Sequence, residues 1–263
     1  MKKLGIICSL IFAVLVAFYF LVLKPEKYVV TDVYDEIMSR GYIKVGINAD
    51  LKPFGFKNTK GELVGYDVDM ARYIAQYLLK NPEKVQLVPV TPADRMIKAS
   101  TGEVDIVIAS MTITPQRQEI IGFSKPYDIA GQALLVKSDS RITSVSDLAG
   151  QNVGVVWGST AEKNMLNLVP TANIMGFKTY KDAYKALKIG RINAITSDDT
   201  ILSSFAIDDS SVKLLPKRYS REPYGIGFKK GKSTVKLKEN LDLAIDDMKQ
   251  KNIITRIHKT WLR

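Results

Sequence analysis

The chain has 263 residues, of which 46% are hydrophobic and 25% charged, a composition that excludes a disordered protein. One cysteine and one histidine exclude an intramolecular disulfide framework and a zinc site built from Cys and His ligands. The net charge of +11 comes from lysines and arginines spread along the chain, without a basic stripe interleaved with aromatic residues. We therefore expect no nucleic-acid partner.

The N-terminal segment is strongly apolar. Residues 4–23 carry no charge and lie between Lys3 and Lys24. A helix of this length spans about 30 Å, the hydrocarbon thickness of a bilayer. The lysines before it predict export of the remainder. Residues 1–29 are interpreted as a signal-anchor or as a cleaved signal peptide, although the small residues typical of a cleavage site are missing. The anchor interpretation places the exported domain at the outer side of the cell membrane.

The first exported unit alternates strands and helices. Strands are predicted over residues 43–47, 85–90 and 105–109. A helix begins at Asp67, which is interpreted as its cap, and residues 91–94 (Thr-Pro-Ala-Asp) open another. This βαβ alternation predicts an α/β sheet that is largely parallel.

A second unit repeats the alternation, and the C-terminal segment returns to the first. Its predicted strands cover residues 132–137, 151–156, 174–177 and 191–196, and its predicted helices cover residues 161–168 and 181–189. A strand over residues 224–229, a helix over 237–248 and a short helix to residue 261 close the chain. Two such units predict a two-lobed protein with a cleft between the lobes.

The loops after the predicted strands carry groups suited to a charged ligand, because ligands of open α/β sheets bind beyond the carboxyl ends of strands. Arg117 offers a planar fork that matches a carboxylate, or it is a surface arginine at a helix start. Ser159 and Thr160 begin a predicted helix, whose N–H groups attract anions, or Ser159 only caps that helix. Asp198 accepts an ammonium group, or it caps the next turn. Together these groups describe a site for a free α-amino acid.

Patterns of known enzyme sites are missing from the sequence. There is no Gly-x-Ser-x-Gly elbow, no Cys/His pair, no phosphate-binding glycine loop and no metal-ligand spacing. His258, near the C-terminus, is interpreted as a surface residue. We therefore predict no catalytic residue, no metal and no cofactor.

Several short motifs, in this order and spacing, resemble the extracytoplasmic solute-binding proteins of ABC transporters for polar amino acids. The resemblance covers about residues 43–262. The motifs are PFGF at 53–56, GYDVDMA at 65–71, GEVD at 102–105, TITPQR at 112–117, FSKPY at 123–127 and YGIGF at 224–228.

The resemblance implies a type 2 periplasmic-binding-protein fold with two hinge strands. Lobe one would comprise residues 30–129 and 222–263, and lobe two residues 130–221. The implied partners are a small-molecule amino acid and a membrane permease, and the implied state is a monomer. The implied ligand-binding residues are Arg117 and Thr112 for the carboxylate, Ser110 through its backbone, Thr160 and Ser159 through N–H groups of lobe two, and Asp198 for the ammonium group.

The chain departs from the family pattern at the ligand side chain. Many relatives place one aromatic residue at the position of Leu51 and another near Pro92, and Phe54 and Trp157 are expected to replace them in part. Arg95 follows Asp94 where relatives that bind acidic amino acids have an Asn-Arg pair. Arg95 thus favours an acidic amino acid or its amide, or it pairs with Asp94 in solvent.

Two other functions stay open from the sequence. A sensory or surface protein can use the same fold without serving transport. Periplasmic dehydratases also carry related lobes, and Glu162 is the one candidate acid that the sequence offers near lobe two's loop.

Overall fold

The computed structural model describes Tyr19 and residues 31–262. The predicted membrane helix, and the choice between anchor and signal peptide, therefore fall outside the described residues apart from Tyr19. Within the described part, no helix is long and apolar enough to cross a bilayer.

Helices and strands alternate through most of residues 31–262. The helices are α1 Val33–Arg40, α2 Tyr66–Leu79, α3 Arg95–Thr101, α4 Pro115–Ile120, α5 Ala161–Leu168, α6 Tyr180–Lys188, α7 Asp199–Asp208, α8 Val235–Gln250 and α9 Ile253–Trp261. The strands are β1 Ile43–Asn48, β2 Asp50–Leu51, β3 Gly55–Lys57, β4 Leu63–Val64, β5 Val85–Val90, β6 Ile106–Val107, β7 Ile121–Ala130, β8 Gln132–Lys137, β9 Asn152–Val156, β10 Asn173–Phe177, β11 Ala194–Asp198, β12 Val212–Leu214 and β13 Glu222–Lys229.

Lobe one is built on a five-stranded sheet with the order β5-β1-β6-β13-β7. β1 runs parallel to β5 and β6, with Val45 opposite both Leu87 and Ile106. β13 enters antiparallel between β6 and β7. The apolar faces of α2 and α8 pack in the core of this lobe, where Ile74 and Leu241 are fully buried.

Lobe two is built on a second sheet with the order β10-β9-β11-β8-β12. β9 is parallel to β10 and β11, and β8 is antiparallel to β11 and β12. Side chains alternate between the two faces along β8, so that Leu134 and Val136 enter one core and Ala133 and Leu135 another. Burial on both faces explains why residues 133–136 of this strand are all apolar.

The two sheets meet at a pair of strands that cross between the lobes. Gly131 alone separates β7 from β8, and β13 begins at Glu222, opposite Ala130. Gly131 N–H donates to Asp199 Oδ1 over 2.9 Å, and Asp199 N–H donates to the Gly131 carbonyl over 2.8 Å. A Cβ at Gly131 would lie 2.8 Å from the Ser220 carbonyl oxygen, so the crossing requires a residue without a side chain.

The structure corrects some sequence predictions of secondary structure. Both sheets are mixed rather than largely parallel, because β13 and β8 each run against their neighbours. The sequence did not predict α1, α7 or β7. The strand expected over residues 191–196 occurs at Ala194–Asp198, because the N–H groups of Arg191 and Ile192 donate back to the Ala186 carbonyl and prolong the preceding turn.

The limits of the lobes stay predictions. The strands of the first sheet lie within residues 43–130 and 222–229, and those of the second within residues 132–214.

Candidate functional site

Arg117 lies in lobe one where the loop after β6 enters α4. Thr114 caps this helix by accepting a hydrogen bond from the Arg117 N–H over 3.2 Å, and Pro115 occupies the first turn. The guanidinium is buried, and Nη1 donates to the Thr112 carbonyl over 2.8 Å. The alternative of an exposed surface arginine is therefore wrong.

Gly158 brings lobe two against this arginine. Arg117 Nη2 donates to the Gly158 carbonyl oxygen over 2.8 Å. Gly158 has φ +81°, and a Cβ there would lie 2.2 Å from the Pro92 carbonyl oxygen of lobe one. The contact between the lobes thus depends on glycine at this position, both for its backbone conformation and for the close approach.

Arg95 is buried beside Arg117, with only 4% of its surface exposed. Its Nη1 donates to the carbonyl oxygen of Ala109, and its Nη2 lies 3.4 Å from that of Gly158. Asp94 instead exchanges hydrogen bonds with Thr91, in the capping arrangement predicted for residues 91–94. The alternative in which Arg95 pairs with Asp94 in solvent is therefore wrong.

The loop that follows β6 carries two buried hydroxyl groups. Ser110 has φ +47°, a left-handed conformation that is unusual for a residue other than glycine. Its hydroxyl is buried and has no hydrogen-bond partner within residues 31–262. Thr112 forms an isolated bridge to Tyr224 on β13. Strain and unpaired polar atoms in one loop are typical of a functional site.

Asp198 ends β11 in lobe two and is buried. Tyr224 donates its hydroxyl proton to Asp198 Oδ2. Asp198 makes no capping hydrogen bond to α7, so the capping interpretation is wrong. Burial is the main cause that raises the pKa of Asp198 to about 7, and the hydrogen bond from Tyr224 opposes the shift. The neighbouring Asp199 instead pairs with Arg218.

Ser159 and Thr160 lie at the start of α5, as predicted, but their hydroxyls have protein partners. Ser159 donates to the Val156 carbonyl over 2.6 Å and accepts from the Ala161 N–H over 3.3 Å, so it contributes to capping. Thr160 donates over 3.1 Å to Glu222 Oε2. The hydroxyl of Thr160 is thus engaged by a carboxylate on β13.

Glu222 and three tyrosines belong to the same region and were not found from the sequence. Glu222 also accepts from Asn164 Nδ2 over 2.8 Å and from Ser220 Oγ over 2.6 Å. The tyrosines are Tyr127, Tyr180 and Tyr224, all buried and all in electrostatic contact with Arg95. Tyr224 stands in the YGIGF motif, which carries the family resemblance but does not by itself predict a role in the site.

Leu51 and Phe54 lie in the core of lobe one. Leu51 ends β2 and is 3% exposed. Phe54 is fully buried, with its ring edge-on to Tyr66 at a centroid distance of 5.9 Å. Trp157 is about half exposed, and its indole lies over Gly176 of β10 in lobe two. The ring of Phe54 is therefore used in core packing.

The electrostatics of the site are those of a binding site for a carboxylate and an ammonium group. Burial, followed by repulsion from Arg95, lowers the pKa of Arg117 to about 10, so the Arg117 guanidinium stays charged at neutral pH. The negative charges of Asp198 and Glu222 oppose this lowering of the Arg117 pKa. Within the described residues, no group of three or more His, Cys, Asp or Glu side chains could hold a metal ion.

Residues 43–263 match the model of the bacterial extracellular solute-binding proteins, family 3, and the chain belongs to this family. The glutamine-binding protein of Geobacillus stearothermophilus is 40% identical over 202 residues, which cover 76% of this chain and 77% of that protein. The ABC transporter glutamine-binding protein GlnH of Bacillus subtilis (strain 168) is 36% identical over 234 residues, which cover 88% of this chain and 85% of that protein.

Solved structures agree on the fold. An ancestral arginine-binding protein bound to arginine superposes with a TM-score of 0.78 at 35% identity, covering 85% of this chain and 99% of the other. The predicted resemblance and the two-lobed α/β fold are thus confirmed. The chain is a binding protein and not an enzyme, as predicted.

Proposed function

We propose that this protein is an extracytoplasmic receptor that binds glutamine between its two lobes and delivers it to the permease of an ABC transporter. The convergence of Arg117 and Asp198 from opposite lobes is the observation that carries the proposal. Relatives at 40% and 36% identity that are named for glutamine binding support this choice of ligand.

Arg117 recognises the α-carboxylate in this proposal. Its Nη2 donates to the Gly158 carbonyl, and its Nη1 to that of Thr112. A carboxylate presents two acceptor oxygens to the guanidinium fork, and charge-assisted bonds are stronger than bonds to a neutral carbonyl. The ligand therefore competes well for the guanidinium, and the hydroxyls of Ser110 and Thr112 lie in the same loop.

Asp198 and the start of α5 supply the contacts of lobe two. The ligand ammonium group meets Asp198, and the N–H group of Thr160 faces the carboxylate. The Ser159 N–H already donates to the Val156 carbonyl over 3.1 Å. Contacts of this kind form only when the lobes are closed, so they favour the closed state. Moving an open–closed balance from about 1:99 to 99:1 needs about 5.5 kcal/mol of differential binding. Two or three charge-assisted hydrogen bonds of about 1.5–3 kcal/mol each supply that amount.

The receptor acts as a monomer outside the cytoplasm. We infer that residues 4–23 hold it at the membrane as a signal-anchor, in the place of a lipid. The apolar length of the segment and the missing small residues at a cleavage site support the anchor. Detection of the exported domain in the membrane fraction, and its loss when whole cells are treated with protease, tests the anchor.

A thermal-shift panel with the standard amino acids tests the proposed function. The protein is first unfolded and refolded to remove any carried ligand. Glutamine at about 100 times its dissociation constant is expected to stabilise the protein by about 2.7 kcal/mol, which is easily detected. If only another amino acid raises the unfolding temperature, that amino acid is the ligand in place of glutamine. If no amino acid raises it, the protein is not an amino-acid receptor.

A further inference from the structure

Glu222 is a buried carboxylate at the point where β13 enters lobe one. It begins β13 opposite Ala130, and only 3% of its surface is exposed. Three uncharged groups donate hydrogen bonds to it: the Thr160 hydroxyl over 3.1 Å, Asn164 Nδ2 over 2.8 Å and Ser220 Oγ over 2.6 Å. Burying a charge among uncharged donors is less favourable than burying an apolar side chain of similar size, so packing alone does not explain Glu222.

Two of these donors belong to one turn at the start of α5 in lobe two. Thr160 precedes α5, and the Asn164 N–H donates to the Thr160 carbonyl over 3.1 Å, so both side chains lie on the same face of the helix. The third donor, Ser220, accepts at its hydroxyl from the Gln132 N–H over 3.0 Å, where β8 begins. Glu222 therefore joins the first turn of α5 to both strands that cross between the lobes.

The first turn of α5 lies beside the charged groups of the binding site. The carbonyl of Gly158, just before Ser159 and Thr160, accepts from Arg117 Nη2 over 2.8 Å. Glu222 is in electrostatic contact with Arg117, as it is with the aspartate that ends β11. The first N–H groups of a helix have no partner within the helix, so they are available to an anion. The direction of the Thr160 N–H within the site therefore depends on what holds this turn.

We propose that Glu222 is a positioning residue that holds the first turn of α5 on β13, so that the Thr160 N–H points at the α-carboxylate of the bound amino acid. This inference rests on the proposed function. Glu222 does not touch the ligand in this arrangement and acts through Thr160 and Asn164. A hydrogen bond weakens steeply when its donor is misaligned, so a turn without these bonds binds the carboxylate less well.

Calorimetry with glutamine tests this role, at about pH 8, where Asp198 is mostly ionised. Glu222→Ala removes all three acceptor contacts and is expected to weaken binding about tenfold, the worth of one hydrogen bond to a charged group. Glu222→Gln keeps an acceptor oxygen, and its N–H₂ group donates to the Thr160 hydroxyl. It should therefore restore the affinity to within about threefold of that of the wild type.

Glu162→Ala is the matched control, because it removes an exposed carboxylate from the same turn of α5. It should bind glutamine as the wild type does, and a loss equal to that of Glu222→Ala would assign the effect to charge and overturn the proposal. Wild-type affinity in Glu222→Ala, or equal losses in the Ala and Gln variants, would overturn the role of Glu222 without touching the proposed function. If the wild-type protein does not bind glutamine, the proposed function fails, and this inference fails with it.

Amide hydrogen exchange separates positioning from a general loss of stability in lobe two. In proteins saturated with glutamine, the Thr160 N–H is expected to exchange at least about tenfold faster in Glu222→Ala than in the wild type, because its bond to the carboxylate is lost. The N–H of Val155, which is fully buried in β9, should exchange equally slowly in both proteins. Equal exchange at Thr160, or faster exchange at Val155 as well, would overturn the proposal.

Asn164→Leu decides the question if Glu222→Ala does not fold. It removes one of the two bonds that hold α5, at similar volume, and leaves Glu222 paired with Thr160 and Ser220. We expect about threefold weaker glutamine binding and faster exchange at the Thr160 N–H. A Thr160 exchange rate equal to that of the wild type would overturn the proposal.

Discussion

Arg117 of lobe one and Gly158 of lobe two are joined by a hydrogen bond of 2.8 Å from Nη2 to the carbonyl oxygen. The bond couples the strongest anion-binding group of the site to the loop that precedes α5. It therefore gives the guanidinium a role in both ligand recognition and lobe contact.

Replacing Arg117 tests the first of these roles. Arg117→Ala is expected to weaken glutamine binding by more than about 100-fold, because two charge-assisted hydrogen bonds to the carboxylate are lost. Calorimetry measures the affinity, and circular dichroism checks that the fold is intact. Arg256→Ala, on the exposed face of α9, is the matched control and should bind as the wild type does. Near-wild-type affinity in Arg117→Ala would remove this residue from the site.

Gly158→Ala tests the contact between the lobes. The added Cβ would lie 2.2 Å from the Pro92 carbonyl oxygen, so the lobes cannot approach as closely. Overpacking of this kind costs about 2 kcal/mol, so we expect roughly 30-fold weaker glutamine binding. Small-angle scattering should also show less contraction with ligand.

Gly150→Ala controls for the backbone effect of that substitution. Gly150 also has a positive φ, of +70°, but a Cβ there would meet nothing within 4 Å. This variant should lose some stability and keep its affinity. Equal loss of affinity in both variants would show that strain, and not the contact with lobe one, is the cause.

The raised pKa of Asp198 predicts that glutamine binding depends on pH. Because its pKa is about 7, Asp198 is mostly protonated below that pH. It must then lose a proton before its carboxylate can bind the ammonium group. The affinity should thus be highest above pH 7 and fall as the pH falls, by about 30-fold from about pH 8 to about pH 5.5. Calorimetry in buffers of different ionisation enthalpy measures the proton released on binding. Asp198→Asn should bind weakly at every pH, and a wild-type affinity that rises toward acid pH would contradict this role.

Tyr224→Phe tests the cause of that pH dependence. The Tyr224 hydroxyl donates to Asp198, and this bond holds the pKa of Asp198 down against burial. Without it the pKa should rise further, by about one unit, which moves the midpoint of the affinity profile upward. Tyr180→Phe is the comparison, because the Tyr180 hydroxyl accepts from Ser197 and makes no bond to Asp198 that would be lost. An unchanged midpoint in Tyr224→Phe would show that this bond does not set the pKa.

Local patterns in the sequence predict much of the fold. The helix over residues 161–168 has the predicted limits, because its apolar residues and the preceding Gly-Ser-Thr turn are local signals. β7 and α7 were missed for different reasons. β7 contains Pro126 and charged residues that are unusual in a strand, and it is held by pairing with β13, a contact between distant parts of the chain. α7 follows β11 without a turn that would mark its start.

The site is predictable only where a residue's role can be read from its neighbours in the sequence. The loop position of Arg117 after a buried strand indicates a carboxylate-binding group. Glu222 gives no such signal, because its role depends on which side chains pack beside it. Thr160, which is joined to Glu222 across 62 positions, shows how distant such partners are.

A crystal structure of the protein with glutamine tests the central claim most directly. The account predicts the α-carboxylate within hydrogen-bond distance of the Arg117 guanidinium, the ammonium group on Asp198, and both lobes in contact with the ligand. Glutamine bound elsewhere, or bound between the lobes with its carboxylate away from Arg117, would contradict the account.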